Sequence, residues 1–260
     1  MLRIGAHVDQ ADPIREAGAR GADLVQFFLG DPQGWQPQCT YQDGAGALRA
    51  AAQARGVDMY VHAQYAINVA STNNRIRVPS RKILQAVVDE AAELGATAVI
   101  VHGGHVGKAD DPEVGVDNWR KALERLEMRC PVYVENTAGG AKAMARTVES
   151  IGRLWDALDG HDVGFCLDTC HAHAGGEELA GIVDRIKALT GRIDLVHAND
   201  SKDAFGSGRD RHDNLGHGHV DPGQLVDVVA AAGAPVVCET PGGAEGQRRD
   251  IAWLRERLPD

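Results

Sequence analysis

The chain has 260 residues, 43% of them hydrophobic and 25% charged, with a formal net charge of −10. That length admits one large domain or two small ones, and the acidity argues against capture of nucleic acid by bulk charge alone. No apolar stretch approaches the ~18 residues that span a bilayer; the opening "MLRIGAHVDQ" lacks a basic region and a cleavage signal, and five cysteines without a CxxC pair suit reduced thiols, so a cytoplasmic protein with no membrane partner is expected.

Short apolar runs alternate along the chain with Ala-, Leu-, Glu- and Arg-rich segments. Strands are expected at 3–7, 24–28, 59–62, 97–102, 132–135, 163–168, 193–198 and 235–239. Helices are expected between and after them, at 11–19, 43–54, 79–94, 112–128, 142–158, 176–189, 221–232 and 246–257. Near-continuous apolar strands alternating with helices predict a parallel sheet covered on its outer side. Eight such units in a chain of 260 residues predict one α/β domain over 1–260, a closed (β/α)8 TIM barrel rather than an open doubly wound sheet. No GxGxxG follows the first strand, which argues against dinucleotide binding.

The polar residues fall at the strand ends. The third to eighth strands end "YVH" at His62, "VIVH" at His102, "VYVE" at Glu135, "FCLD" at Asp168, "DLVH" at His197 and "VVCE" at Glu239. In a parallel barrel the last residues of the strands converge on one rim, where barrel active sites lie. Taken singly, each has an ordinary explanation: a lone histidine after an apolar run is usually satisfied or exposed, and Asp168 could simply cap the next helix. Crowded together, carboxylates repel and are costly to desolvate unless cations join them. Imidazole with carboxylate is a common metal coordination set.

Three further candidates lie in connections on the same rim: His171 in "DTCHA", and Asp210 and His212 in "GSGRDRHDNLG". Their addition gives five His, two Asp and two Glu. At three or four protein ligands per zinc, that set suits about three ions with one carboxylate shared.

The residues resemble the endonuclease IV family of apurinic/apyrimidinic endonucleases, through "IGAHV", "YVHAQYAINVAS", "VIVHGG", "VENTAGG", "CLDTCHA", "VHANDSKDAFGSGRDRHDNLGHG" and "CETP". The resemblance runs the length of the chain and implies a (β/α)8 barrel holding three Zn²⁺, with Mn²⁺ admissible at some positions. It implies that His62 and His102 hold the first ion and that Glu135 bridges it to the second, which Asp168, His197 and Glu239 complete. His171, Asp210 and His212 would hold the third. The implied substrate is duplex DNA with an abasic site, cut 5′ to the lesion to leave a 3′-hydroxyl and a 5′-deoxyribose phosphate, with Glu135 and Glu239 orienting or deprotonating water. A monomer is expected.

Departures from the family pattern are confined to loops. Gln33 and Gly34 stand near the position where the family inserts an arginine into DNA, Gly103 replaces a common proline, and Ala66 replaces the usual leucine beside Tyr65. Gly103 leaves His105 as a rival to His102, and His217 and His219 are read as surface or supporting groups. Tyr65 matches a family tyrosine that enters DNA. Arg75, Arg77, Arg81 and Lys82 form a cluster without an acid, and with Lys202, Arg209 and Arg211 they are expected on the rim as phosphate contacts. Three Zn²⁺ would bring the formal charge from −10 to −4, with the excess positive charge at the mouth. The alternative is a xylose-isomerase-like sugar isomerase or epimerase using one divalent ion on Glu135, Asp168, His197 and Glu239. That alternative leaves the other five candidates without a task.

Overall fold

The computed structural model describes residues 2–140 and 142–259. Strands β1 (Ile4–His7), β2 (Leu24–Phe28), β3 (Asp58–His62), β4 (Ala98–His102), β5 (Val132–Glu135), β6 (Gly164–Asp168) and β7 (Leu195–His197) are parallel neighbours. An antiparallel ribbon follows, β8 (Asp200–Ser201) with β9 (His212–Asp213), before the last barrel strand, β10 (Val236–Cys238). Strand β1 pairs with both β2 and β10, so the sheet closes into the expected barrel and leaves no barrel edge.

The helices are α1 (Pro13–Arg20), α2 (Gly44–Arg55), α3 (Asn74–Leu94), α4 (Pro112–Leu123), α5 (Val148–Ala157), α6 (Thr169–Gly175), α7 (Ile182–Thr190), α8 (Pro222–Ala232) and α9 (Gly243–Arg257). Three begin with the same Asp-Pro pair. Asp12, Asp111 and Asp221 each accept a hydrogen bond from a backbone N–H of the first turn, while the following proline occupies a position whose own N–H would be idle. No helix among the described residues is long and apolar enough to cross a membrane.

Alternation along the strands builds two cores. Leu24, Tyr60, Ala98, Ile100, Cys166, Leu195 and Val237 point inward and pack together with Tyr133 as a plug inside the barrel. The intervening residues, such as Val61, Val99, Val134, Phe165 and Val196, face the helices in a larger outer core.

Element boundaries differ from expectation where local chemistry competes. Helix α3 begins at Asn74 rather than 79, because Asn73 caps it by accepting from Arg75 N at 2.9 Å. Pro79 therefore sits inside the helix and deletes one bond of its ladder, and the Ser80 hydroxyl donates to Ile76 O at 2.8 Å beside the gap. Helix α4 stops at Leu123 and α5 starts at Val148, where Thr147 and Ser150 form a reciprocal capping box. The helix expected at 176–189 starts later, at Ile182, because a separate short helix precedes it. Gly176, at φ 89°, ends α6, and α7 runs from Ile182 to Thr190.

Candidate metal centre

Two residues above six members of the inner plug, on the same parity, stands a residue of the rim. Tyr60 leads to His62, Ile100 to His102, Tyr133 to Glu135, Cys166 to Asp168, Leu195 to His197 and Val237 to Glu239. The largely apolar plug closes the barrel below these six groups. Glu135, Asp168 and His197 are fully buried.

Glu135 is the hub. Its Oε2 lies 3.2 Å from His62 Nε2 and 3.3 Å from His102 Nε2, while its Oε1 lies 3.0 Å from His197 Nδ1 and 3.2 Å from His171 Nδ1. His197 Nδ1 is also 3.4 Å from Glu239 Oε2 and 3.9 Å from Asp168 Oδ2. Overlapping donor sets with ligand atoms within 4.8 Å of one another result: His62, His102 and Glu135; Glu135, Asp168, His197 and Glu239; and Asp168, His171 and His212. In the third cluster, Asp210 places one oxygen 3.1 Å from His171 Nε2 and the other 3.1 Å from His212 Nε2. His105 is exposed and held by Asn68 instead, so His102 alone of the two faces Glu135.

The donor atoms are left as a cation would need them. Both Nε2 atoms facing Asp210 are buried, yet among the described residues neither has a hydrogen-bond partner, because the 3.1 Å approaches miss hydrogen-bond angles. Buried nitrogens without partners are costly, and two aimed at one carboxylate suit a shared ion. Cys170 also brings its sulfur within 4.8 Å of the Asp210 and His212 donors, but burial pushes its thiol up to about 12.

Asp168 caps a helix and also faces the donor cluster. Its Oδ1 accepts from His171 N at 2.7 Å and caps α6. Its Oδ2 faces His197 and, at 3.8 Å, His212 Nε2. The cap orients the carboxylate that the cluster uses.

Burial disfavours charge throughout this site, and the cluster's own groups oppose it. Burial would raise Glu135, but His197 and His102 hold it well below the usual carboxylate range. Glu239 is likewise lowered against burial by His197 and His7. Asp168 is raised, burial outweighing His171 and His212. His171 and His197 are held well above the imidazole range, and His212 at about 9; burial opposes, and Asp168 for His171, Cys166 and Glu239 for His197, and Asp210 for His212 prevail. Without ions, protons balance the carboxylates, so ions entering these sets must displace them.

A frame of side-chain amides holds the donors. Asn136 clamps the Asp168 backbone, donating to its O at 2.9 Å and accepting from its N at 2.7 Å. Asn199 donates to Asp168 Oδ2 at 2.7 Å and accepts from Glu239 N at 2.8 Å. Gln26 donates to Glu239 Oε1 at 2.6 Å, and its Oε1 lies 2.8 Å from His197 Nε2. His7 Nδ1 is 3.3 Å from Glu239 Oε1. Sequence reading passed over all four residues. The signals were there: His7 ends the first strand as histidines end others, and Gln26 is a polar residue inside the apolar run "LVQFF".

The ribbon is anchored by a buried carboxylate. Asp200 accepts from Gly216 N at 3.0 Å, Gly218 N at 2.9 Å and Val220 N at 2.9 Å. A Cβ on Gly218 would stand 2.3 Å from Ser201 O, so only glycine allows that approach. Asp203 binds Arg211 through 2.7 and 2.6 Å contacts and Arg209 at 3.4 Å. Both arginines thus brace the loop carrying Asp210 while their side chains remain largely exposed.

Tyr65 is 50% exposed, with its ring 5.7 Å from His62, 5.8 Å from His102 and 5.2 Å from Phe28. Gln33, Arg75 and Lys202 are exposed. Tyr65 N donates to Pro32 O at 3.0 Å, which ties the tyrosine to the loop bearing Gln33. Arg77 donates through Nη1 to the Ser71 and Thr72 carbonyls, and Arg81 and Lys82 line a hollow with Arg125 between α3 and α4. The basic cluster of the sequence is therefore divided between the helix start and the helix flank.

A closed (β/α)8 barrel with imidazoles and carboxylates gathered at the carboxyl ends of its strands defines the class, and residues 14–257 match the xylose isomerase-like TIM barrel family. Proteins described as probable endonuclease 4 from Mycobacterium tuberculosis and Mycobacterium leprae are 59% and 57% identical to it, each over 98% of this chain and 99% of theirs. The solved structure of endonuclease IV from Thermus thermophilus superposes with a TM-score of 0.84 at 30% identity, covering 98% of this chain and 99% of that one. The chain belongs to the endonuclease IV family. A D-tagatose 3-epimerase-like protein shares the fold alone, at a TM-score of 0.80 and 18% identity.

Proposed function

We propose that this protein is an apurinic/apyrimidinic endonuclease of DNA base-excision repair, acting as a cytoplasmic monomer on abasic sites in duplex DNA. It hydrolyses the phosphodiester 5′ to the lesion, leaving a 3′-hydroxyl and a 5′-deoxyribose phosphate. The observation that carries this reading is the convergence of nine donor residues in three overlapping clusters, in a chain 59% identical to proteins described as endonuclease 4.

In this reading His62, His102 and Glu135 hold one zinc ion, Glu135, Asp168, His197 and Glu239 a second, and His171, Asp210 and His212 a third. Bound divalent cations lower the pKa of water and neutralise charge on a phosphodiester and its leaving oxygen. The protein's own residues do the rest. Glu135 and Glu239, both held ionised, present acceptor oxygens that orient a water and take its proton. Tyr65 stays a neutral phenol, since burial raises its pKa, so it meets a polyanion without repulsion. With Gln33 it contacts the DNA beside the lesion, and Arg75, Arg77, Lys202, Arg209 and Arg211 hold phosphates. An abasic nucleotide lacks stacking and is displaced into the rim more cheaply than a normal one, which supplies part of the selectivity.

The single-ion epimerase reading has support from the shared fold and the Glu135, Asp168, His197 and Glu239 set. It gives no task to His62, His102, His171, Asp210 or His212. The test is incubation with an oligonucleotide duplex carrying one tetrahydrofuran abasic analogue. Cleavage on its 5′ side, abolished by prolonged chelation and restored by zinc, is expected. Intact DNA with fully metallated protein contradicts the reading.

A further inference from the structure

Gln26 is fully buried and occupies the inward position of β2 one step above Leu24. Its amide has a single allowed orientation. The neighbour 2.6 Å away is Glu239 Oε1, a carboxylate oxygen, and only the NH2 end can face an acceptor at that distance. The second N–H then reaches His7 Nδ1 at 3.0 Å, and Oε1 is turned to His197 Nε2 at 2.8 Å. Both donors and the acceptor are used.

We propose that Gln26 is a positioning residue that selects which nitrogen of His197 serves the metal centre. Its carbonyl oxygen accepts only from a protonated nitrogen, so His197 keeps hydrogen on Nε2 and Nδ1, aimed at Glu135, Asp168 and Glu239, is the nitrogen left to bind an ion. Other histidines of the site are set the opposite way. His62 Nδ1 faces Ala63 O at 2.7 Å, His171 Nδ1 faces Asn136 O at 2.9 Å, and His212 Nδ1 faces Glu239 O at 3.3 Å. Each backbone carbonyl holds hydrogen on Nδ1 and leaves Nε2 as the nitrogen that faces the cluster. His197 is the inverted member, and a replaceable side chain holds it. The same amide pins Glu239, so Gln26 supports two donors of one set and none of the other two.

This inference rests on the three-ion reading above. It is tested by zinc titration against a competing chelator and by nitrogen-15 NMR of histidine-labelled full-length protein, for the wild type, Gln26→Met and Gln26→Glu. In the zinc-loaded wild type, the His197 imidazole is expected neutral, with hydrogen on Nε2 alone. In Gln26→Met one zinc per chain should bind ~10–100-fold more weakly, the usual cost of losing such a partner, while the others keep their affinity. Gln26→Glu retains an acceptor for Nε2–H but sets a carboxylate against Glu239 Oε1, so it should keep hydrogen on Nε2 of His197 even where zinc binding weakens, which separates the acceptor role from packing. Unchanged zinc affinity in Gln26→Met overturns the proposal, as does hydrogen on Nδ1 of His197 in the zinc-loaded wild type. Equal weakening of every ion, with a lower melting temperature of the metal-free protein, overturns it in favour of a packing role. A wild-type count near one zinc would instead overturn the three-ion reading itself.

Discussion

Six of the candidate donors stand at the ends of barrel strands and three stand beyond them, and the two groups are built differently. His62, His102, Glu135, Asp168, His197 and Glu239 inherit their direction from strand parity and stand above the largely apolar plug. His171, Asp210 and His212 belong to α6 and to the ribbon, and the Asp210 side chain is 48% exposed. Its position depends on Asp203 holding Arg211 and on Asp200 gathering the following loop. A barrel thus supplies two rigid donor sets as a by-product of its closure, whereas the third has to be assembled by polar contacts and is the more easily perturbed.

The contrast is broken most severely at the hub. Glu135→Gln should deprive both rigid sets of a donor and lower the cleavage rate by ~10³-fold or more, with metal analysis showing loss of more than one ion. Asp210→Ala should remove one ion and reduce turnover by about 100-fold or more, while circular dichroism and melting stay near wild type because the side chain is half-exposed. A retained rate would show that the third cluster is dispensable. Acidification should release zinc from both kinds of site. His171, His197 and His212 favour their protons at neutral pH, so affinity should rise with pH towards about 9, by about tenfold per unit for each proton displaced. Calorimetry in buffers of different ionisation enthalpy measures that proton release.

Asp200→Asn should act on the assembled region alone. It weakens an acceptor of four backbone N–H groups and should cost about 1–3 kcal/mol in denaturant unfolding, with the third ion lost before the others. The smallest effect is expected from Arg75→Ala, an exposed cation at the start of α3. It should weaken DNA binding a few-fold and reduce the salt slope of log affinity by about 1.

The rigid half of the site was legible in the sequence because its signals are local. An apolar run ending in His, Asp or Glu reports both a strand and the residue that tops it, and "VYVE" and "FCLD" occupy β5 and β6 as expected. Asp210 and His212 were legible only as an unusual spacing in a polar loop, and the ribbon that presents them left no periodic trace in two-residue strands. The supporting amides were hidden for another reason. Gln26, Asn136 and Asn199 gain meaning from partners up to 213 residues away, which no local pattern encodes. Helix starts failed where two rules competed, as at Asn73 and Pro79, and the cap prevailed.

The central claim is most directly tested by an anomalous difference map recorded at the zinc edge on crystals grown with zinc. The account predicts three peaks per chain, one among His62, His102 and Glu135, one among Glu135, Asp168, His197 and Glu239, and one among His171, Asp210 and His212. A single peak on the second of these sets, or none, would contradict it.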